Sequence, residues 1–164
     1  LLPHAVADVW RAYEDIKQQR ATIDFEDVLL LTVGMLADRP DIASQIHERY
    51  RWFTVDEFQD VNPLQLRLLK LWLGDRDDLC VVGDASQTIY TFAGATPEYL
   101  TGFRTMFPEA TEVRLVRSYR CSPQIVDLAN RVIAASPVPD PARLVLRSES
   151  APGPLPRVPP PAAR

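Results

Sequence analysis

Two short apolar runs that each lead into acidic residues constrain the fold of this chain more than any other feature. The run "WFTV" (52–55) leads into Asp56 and Glu57, and the run "DLCVVG" (78–83) leads into Asp84. Short apolar runs of this kind are typical of buried strands. Strands that alternate with helices indicate a parallel sheet flanked by helices. The sequence therefore predicts an α/β fold with acidic residues at the carboxyl ends of two strands.

Helix signals surround these runs. Asp24 is the predicted N-cap of a helix from Phe25, and Asn62 with Pro63 should begin a helix that Gly74 closes. Further helices are predicted at 6–16, 41–50, 96–107 and 122–135, and a third strand at "EVRLV" (112–116). The residues expected to be buried are Trp10, Trp52, Leu64, Leu68, Leu71 and Trp72.

The charge distribution is uneven along the chain. Residues 1–100 carry 9 Lys and Arg against 17 Asp and Glu, whereas residues 101–164 carry 9 Arg against 5 acidic residues. The guanidinium group suits bidentate phosphate contacts, so the second part suggests an anionic partner. The net charge of -4 argues against a dedicated basic nucleic-acid-binding module. No apolar run approaches the roughly 20 residues of a membrane span, so no membrane partner is expected.

The last part of the sequence differs in composition from the rest. Of the 28 residues in 137–164, 9 are proline, a density that predicts a linker or disordered tail. Within it, "RLVL" (143–146) is the one candidate for an edge strand.

Carboxylates at strand ends can serve chemistry, because ligands bind outside the carboxyl ends of parallel strands. One carboxylate can hold a hard cation such as Mg²⁺ through oxygen, and a neighbour can activate a water molecule. The alternative is that Asp56 and Glu57 are only a solvated strand end. Asp84, which follows Gly83, could likewise do no more than shape a turn.

Three segments add to this pattern by their order. They are "VDEFQDVNPLQ" (55–65), "VVGDASQTIYTFAGA" (81–95) and "VRSYRCSPQIV" (116–126). Together they resemble motifs II, III and IV of the UvrD/Rep family of superfamily 1 ATP-dependent DNA helicases. "IDFEDVLLLT" (23–32) resembles the segment that precedes motif II, so the resemblance covers roughly residues 20–150. It implies a partial RecA-like (P-loop NTPase) motor lobe as the fold.

The resemblance implies roles for individual residues at an ATP site. Asp56 would bind the Mg²⁺ of the nucleotide, and Glu57 would activate the hydrolytic water. Gln87 would contact the γ-phosphate region, Tyr119 would pack on the adenine, and Arg120 would act as an arginine finger. The alternative for Arg120 is an ordinary surface cation.

The same resemblance places Tyr90 and Phe92 in a segment that faces single-stranded DNA, where a ring can stack on a base. The alternative is that both rings are core aromatics. Gln59 and Asp60 are expected to tie motif II to its neighbours by hydrogen bonds.

Two departures from the family pattern stand out. Ala93 occupies the position of the usual arginine in "FRGA", so a contact to DNA or a coupling contact is expected to be missing. No Gly-x-x-x-x-Gly-Lys-Ser/Thr phosphate loop occurs in the chain. We therefore expect residues 1–115 to be the rear part of a first lobe, 116–136 the start of a second lobe, and the isolated chain to be inactive.

The parent protein is expected to be a cytoplasmic 3′-to-5′ DNA helicase of repair or recombination, which uses ATP and Mg²⁺ on single-stranded and 3′-tailed duplex DNA. A degenerate helicase remnant without enzymatic activity is one alternative. A metal-dependent nuclease that uses Asp56, Glu57, Asp60 and Asp84 is another, although such sites usually include a nearby Lys or His.

Overall fold

The computed structural model describes residues 2–136 and 143–157, and the chain forms two compact units. Unit 1 comprises the residues up to Val55 together with Asn62–Cys80, and unit 2 comprises Asp56–Val61 together with the residues from Val81 onward. Both acidic strand ends therefore belong to unit 2.

The described residues begin with three consecutive helices, after which short strands and helices follow one another. The helices are α1 (Pro3–Arg20), α2 (Phe25–Asp38), α3 (Pro40–Arg49), α4 (Pro63–Leu73), α5 (Glu98–Thr101), α6 (Phe103–Met106) and α7 (Pro123–Ala134). The strands are β1 (Phe53–Val55), β2 (Leu79–Val81), β3 (Arg117–Ser118) and β4 (Arg147–Ser148). Single 3₁₀ turns lie at Phe58–Asp60, Ala85–Gln87 and Thr91–Ala93. The mixed α/β composition agrees with the predicted class.

Asp24 caps α2 as predicted. Its side chain accepts a hydrogen bond from the Asp27 backbone N–H, and the Asp27 side chain accepts one from the Asp24 backbone. The Lys17 ammonium of α1 contacts Glu14, Asp24 and Asp27 at 3.0, 3.1 and 2.8 Å. The backbone hydrogen bond, then Tyr13 and Lys17, hold the pKa of Asp24 below its usual value. Hydrogen bonding to Asp27 raises the pKa of Lys17.

The helix α4 begins and ends as predicted, but its buried face is a different one. Asn62 forms a capping box with Gln65, and Gly74 follows the last helical residue. The buried leucines are Leu66, Leu69 and Leu73, whereas the predicted Leu64, Leu68, Leu71 and Trp72 are only half-buried. Because leucines lie on two opposite sides of this helix, the pattern alone could not select the face that packs against α2.

Two of the three tryptophans predicted for the core are exposed. Trp52 is 79% exposed and Trp10, on α1, is also largely exposed. Trp72 is half-buried, with its ring 6.0 Å from the rings of Tyr50 and Phe53. The apolar character of tryptophan predicts burial at all three positions, but only Trp72 is partly buried by its neighbours.

The strands form two separate two-stranded sheets. β1 pairs with β2, and β3 pairs in parallel with β4. The predicted third strand at 112–116 has no regular structure, and β3 begins directly after it at Arg117. β4 likewise follows the predicted "RLVL" segment, so part of the proline-rich tail is hydrogen-bonded to the preceding chain. The rest of that predicted tail, 137–142 and 158–164, lies outside the described residues.

None of the helices within the described ranges combines the length and the apolar character that a membrane span requires.

Candidate functional site

The turn after β1 holds two carboxylates in different environments. Asp56 is exposed, and its Oδ1 atom accepts a hydrogen bond of 2.9 Å from the Glu57 backbone N–H. Glu57 has φ 51° and ψ 40°, in the left-handed region that a residue with a Cβ adopts at a cost of about 1–2 kcal/mol. The turn is secured within unit 2, where Phe58 donates its backbone N–H to the Val82 carbonyl at 2.9 Å.

Gln59 joins this turn to the second acidic strand end. Its side chain is almost completely buried, with 1% of the residue exposed. The Nε2 atom donates to Glu57 Oε2 at 2.7 Å and lies 3.5 Å from Asp60 Oδ2. The Oε1 atom accepts the Asp84 backbone N–H at 3.0 Å. Both ends of the amide are therefore used, one on each of the two segments.

Gly83 provides the space for this contact. A Cβ atom at that position would lie 2.5 Å from Gln59 Oε1, 3.0 Å from Leu100 Cδ2 and 3.1 Å from the Phe58 backbone nitrogen. The first distance is shorter than real Cβ contacts, so only glycine lets the backbone lie this close to the amide.

The segment after β2 is held by further hydrogen bonds. The Asp84 carboxylate accepts from the Ser86 backbone N–H at 3.0 Å and from Gln87 Nε2 at 2.8 Å. The Asp60 carboxylate accepts the Ile89 backbone N–H at 3.2 Å. Asp84 does shape a turn, as one alternative held, and it also holds the side chain of Gln87.

Tyr90 and Phe92 lie just beyond Ile89 and are open to solvent. Phe92 is 85% exposed, Tyr90 is about half exposed, and their ring centroids are 5.9 Å apart. The alternative that they are core aromatics is therefore wrong for this structure. Their contact with DNA stays a prediction.

Tyr119 and Arg120 follow β3 and are both exposed. Two serines near β4 hold this loop by its backbone: Ser150 Oγ donates to the Tyr119 carbonyl at 2.9 Å, and Ser148 Oγ donates to the Cys121 carbonyl at 2.6 Å. Within residues 2–136 and 143–157, no hydrogen bond or ion pair joins the Arg120 guanidinium to a carboxylate. The structure thus joins Glu57, Gln59, Asp84 and Gln87 in one network of hydrogen bonds. Tyr119 and Arg120 lie outside this network.

The donor set at the turn fits a magnesium-bound nucleotide. Mg²⁺ in nucleotide sites is bound by one or two carboxylates together with phosphate oxygens. The exposed carboxylate of Asp56 is available for such binding, since only its Oδ1 atom is hydrogen-bonded among the described residues. The nuclease alternative requires several clustered ligands. Among the described residues, no group of three or more His, Cys, Asp or Glu side chains is arranged to hold a metal ion.

Comparison with known proteins identifies the class. The profile of the UvrD/REP helicase N-terminal domain matches residues 2–108, which is more than half of the chain. The chain therefore belongs to the UvrD/REP helicase family.

The similar curated proteins carry helicase names. The chain is 49% identical over 156 residues to the ATP-dependent DNA helicase UvrD2 of Mycobacterium tuberculosis, covering 92% of this chain and 22% of that protein. It is 34% identical over 128 residues to the ATP-dependent DNA helicase PcrA of Leuconostoc citreum, covering 78% and 17%. It is 32% identical over 125 residues to the putative ATP-dependent DNA helicase YjcD of Bacillus subtilis, covering 76% and 16%. The chain thus spans at most about a fifth of the length of these relatives.

Sequence reasoning missed three contributors to the site. The requirement for glycine at Gly83 could not be inferred, because it comes from Gln59, a residue 24 positions earlier. Ser148 and Ser150 lie in the predicted linker, and no local pattern connects them to the Tyr119 carbonyl region. The sequence predicts hydrogen bonds from Gln59 to neighbouring segments, but it does not identify the Asp84 backbone as the partner.

Proposed function

We propose that this chain is part of an ATP-dependent DNA helicase that moves 3′ to 5′ along single-stranded DNA and unwinds 3′-tailed duplex DNA. Family membership supports this, and one structural observation carries it. The Gln59 amide joins the Glu57 carboxylate to the Asp84 backbone, so the segments that resemble motifs II and III meet in a single site. A role in DNA repair or recombination, in the cytoplasm, belongs to the same proposal.

The residues divide the work at the nucleotide. Asp56 would hold Mg²⁺, which when bound neutralises charge on the phosphates. Glu57 accepts a proton from the attacking water, a role that its exposure and its hydrogen-bonded orientation suit. Gln87 contacts the γ-phosphate region, and Tyr119 packs on the adenine. Arg120 serves as the arginine finger, and its exposed side chain is free of carboxylate partners among the described residues.

DNA would be held by the segment that follows Gln87. The exposed rings of Tyr90 and Phe92 offer faces on which bases can stack without sequence preference. Asp60 connects this segment to the Glu57 turn through the Ile89 backbone. This gives a short path of hydrogen bonds along which occupancy of the nucleotide site can influence the DNA-facing rings.

The isolated chain should not hydrolyse ATP. Positioning and charge stabilisation of the phosphates supply most of the catalysis of phosphoryl transfer, and the phosphate loop that does this is not in residues 1–164.

The test is ATP hydrolysis by the full-length protein, with and without single-stranded DNA. Glu57→Gln keeps the size of the side chain and removes the base, so we expect turnover to fall by about 10²–10⁴-fold. Glu48→Gln is the matched control, because Glu48 is an exposed glutamate of unit 1, and it should leave turnover unchanged.

The same assay separates a motor from a degenerate remnant. DNA-stimulated turnover that Glu57→Gln abolishes supports the helicase. Turnover that is absent from the full-length protein, or that survives Glu57→Gln, refutes the proposal.

A further inference from the structure

The orientation of the Gln59 amide is fixed by its two partners. A backbone N–H can only donate, so the group that faces Asp84 must be the amide oxygen. An ionised carboxylate can only accept, so the group that faces Glu57 must be the amide NH₂. Glutamine offers an acceptor and a donor at its two ends without a charge, whereas glutamate, of the same length, does so only when it is protonated.

Close packing confines this amide. Gln59 is 1% exposed, and the Gly83 backbone lies against its oxygen so closely that a Cβ there would be 2.5 Å away. The neighbouring Phe58 side chain is fully buried and meets the Phe103 ring edge-on, with centroids 5.8 Å apart. The Glu57 carboxylate is otherwise exposed, so the 2.7 Å bond from Gln59 restricts a side chain that solvent alone would leave mobile.

We propose that Gln59 is a positioning residue that holds the Glu57 carboxylate in the orientation in which it accepts the proton of the attacking water. This inference rests on the proposed function, since it assigns Gln59 a role only through Glu57. A small misplacement of a reacting group costs up to about 10²-fold in rate. Loss of the Gln59 amide should therefore lower kcat while the affinity for ATP, which depends on other groups, changes little.

Two substitutions in the full-length protein test the inference. Gln59→Met keeps the length of the side chain and removes both hydrogen bonds, and we expect kcat for ATP to fall by about 10–100-fold with KM within about 3-fold of its original value. Gln18→Met, an exposed glutamine of α1, is the control and should change neither.

Gln59→Glu provides a readout that a merely structural role would not give. When the introduced carboxyl group is protonated, its O–H can donate to Glu57 and its carbonyl can accept from Asp84, which restores the native pattern. When it is ionised, it faces the Glu57 carboxylate and, further away, the Asp60 carboxylate in a buried site, and all three effects raise the pKa of the introduced group. We expect kcat of this variant to approach the wild-type value at pH 6 and to fall as pH rises to 8.5, relative to wild type at each pH.

The same variant can be followed without nucleotide. Because its introduced group has a raised pKa in the folded state, its contribution to stability is lost as pH rises. The deficit in Tm relative to wild type should therefore grow between pH 6 and 8.5. In a Glu57→Gln background the side chain at position 57 can donate, so this growth should be smaller, and the part that remains comes from burial and from Asp60.

The outcomes separate the two claims. If wild type hydrolyses ATP and Glu57→Gln does not, but Gln59→Met has wild-type kcat, the positioning role is refuted and the helicase proposal stands. If wild type shows no turnover, the helicase proposal fails, and the positioning role, which rests on it, fails with it. A deficit in Tm that does not change with pH, or is the same in the Glu57→Gln background, shows that the two side chains do not meet in solution and also refutes the inference.

Discussion

Gly83→Ala should disrupt the site although it adds only one methyl group. The backbone angles of Gly83 are not in the left-handed region, so alanine can adopt them without strain. The cost comes from space, because the new Cβ would lie 2.5 Å from Gln59 Oε1 and 3.0 Å from Leu100 Cδ2. The amide oxygen must move, which breaks its 3.0 Å hydrogen bond with the Asp84 backbone.

The magnitude follows from two contributions. Inserting a methyl group into a packed site typically costs about 1–3 kcal/mol. Leaving a buried amide oxygen without its donor costs about 1–3 kcal/mol more. We expect the local structure to be destabilised by at least about 2 kcal/mol. This corresponds to a roughly 30-fold larger population of the locally open state, and to amide exchange that is faster by the same factor.

Hydrogen–deuterium exchange of the full-length protein measures this opening directly. The informative amides are those of Phe58 and Asp84, which bond to the Val82 carbonyl and to Gln59. The matched control is Gly34→Ala, where a Cβ would meet nothing within 4 Å. Because Gly34 lies inside α2, alanine there should stabilise the helix by about 0.5–1 kcal/mol.

A double substitution tests the cause. In a Gln59→Ala background the amide oxygen is gone, so Gly83→Ala should accelerate exchange less than it does in the wild-type background. Unchanged exchange of these amides in Gly83→Ala, or an equal effect with and without the Gln59 side chain, would refute a steric clash between position 83 and Gln59.

Three further predictions concern other parts of the chain. Asn62→Ala removes the N-cap of α4 and should cost about 1 kcal/mol, measured as faster amide exchange in the first turn of that helix. Hydrogen bonds lower the pKa values of Asp24 and Asp27 in the folded state, so the stability that they contribute is present above their ordinary pKa of 3.8. It should be lost as pH falls further, and in an acid titration followed by thermal unfolding Lys17→Met should reduce this loss. Phe92→Ala should weaken binding of single-stranded DNA by about 1–3 kcal/mol without changing the salt dependence, measured by fluorescence anisotropy at several salt concentrations.

The sequence predicted those parts of the fold that depend on neighbours along the chain. The capping residues Asp24 and Asn62 specified where α2 and α4 begin, because a cap satisfies backbone N–H groups only two or three residues away. The strand-end acids Asp56 and Asp84 were likewise recognised from local order. Motif order then indicated the family, which the match to residues 2–108 confirms.

The tertiary structure decided what depends on residues far apart in sequence. It selected Leu66, Leu69 and Leu73 as the buried face of α4 and left Trp52 exposed, because burial depends on which surface another element covers. It also placed Gln59 between Glu57 and Asp84 and required glycine at position 83. The sequence alone thus identified which residues are candidates for the site. Their hydrogen bonds and close contacts could not be inferred from it, because they form only when segments 25 residues apart lie side by side.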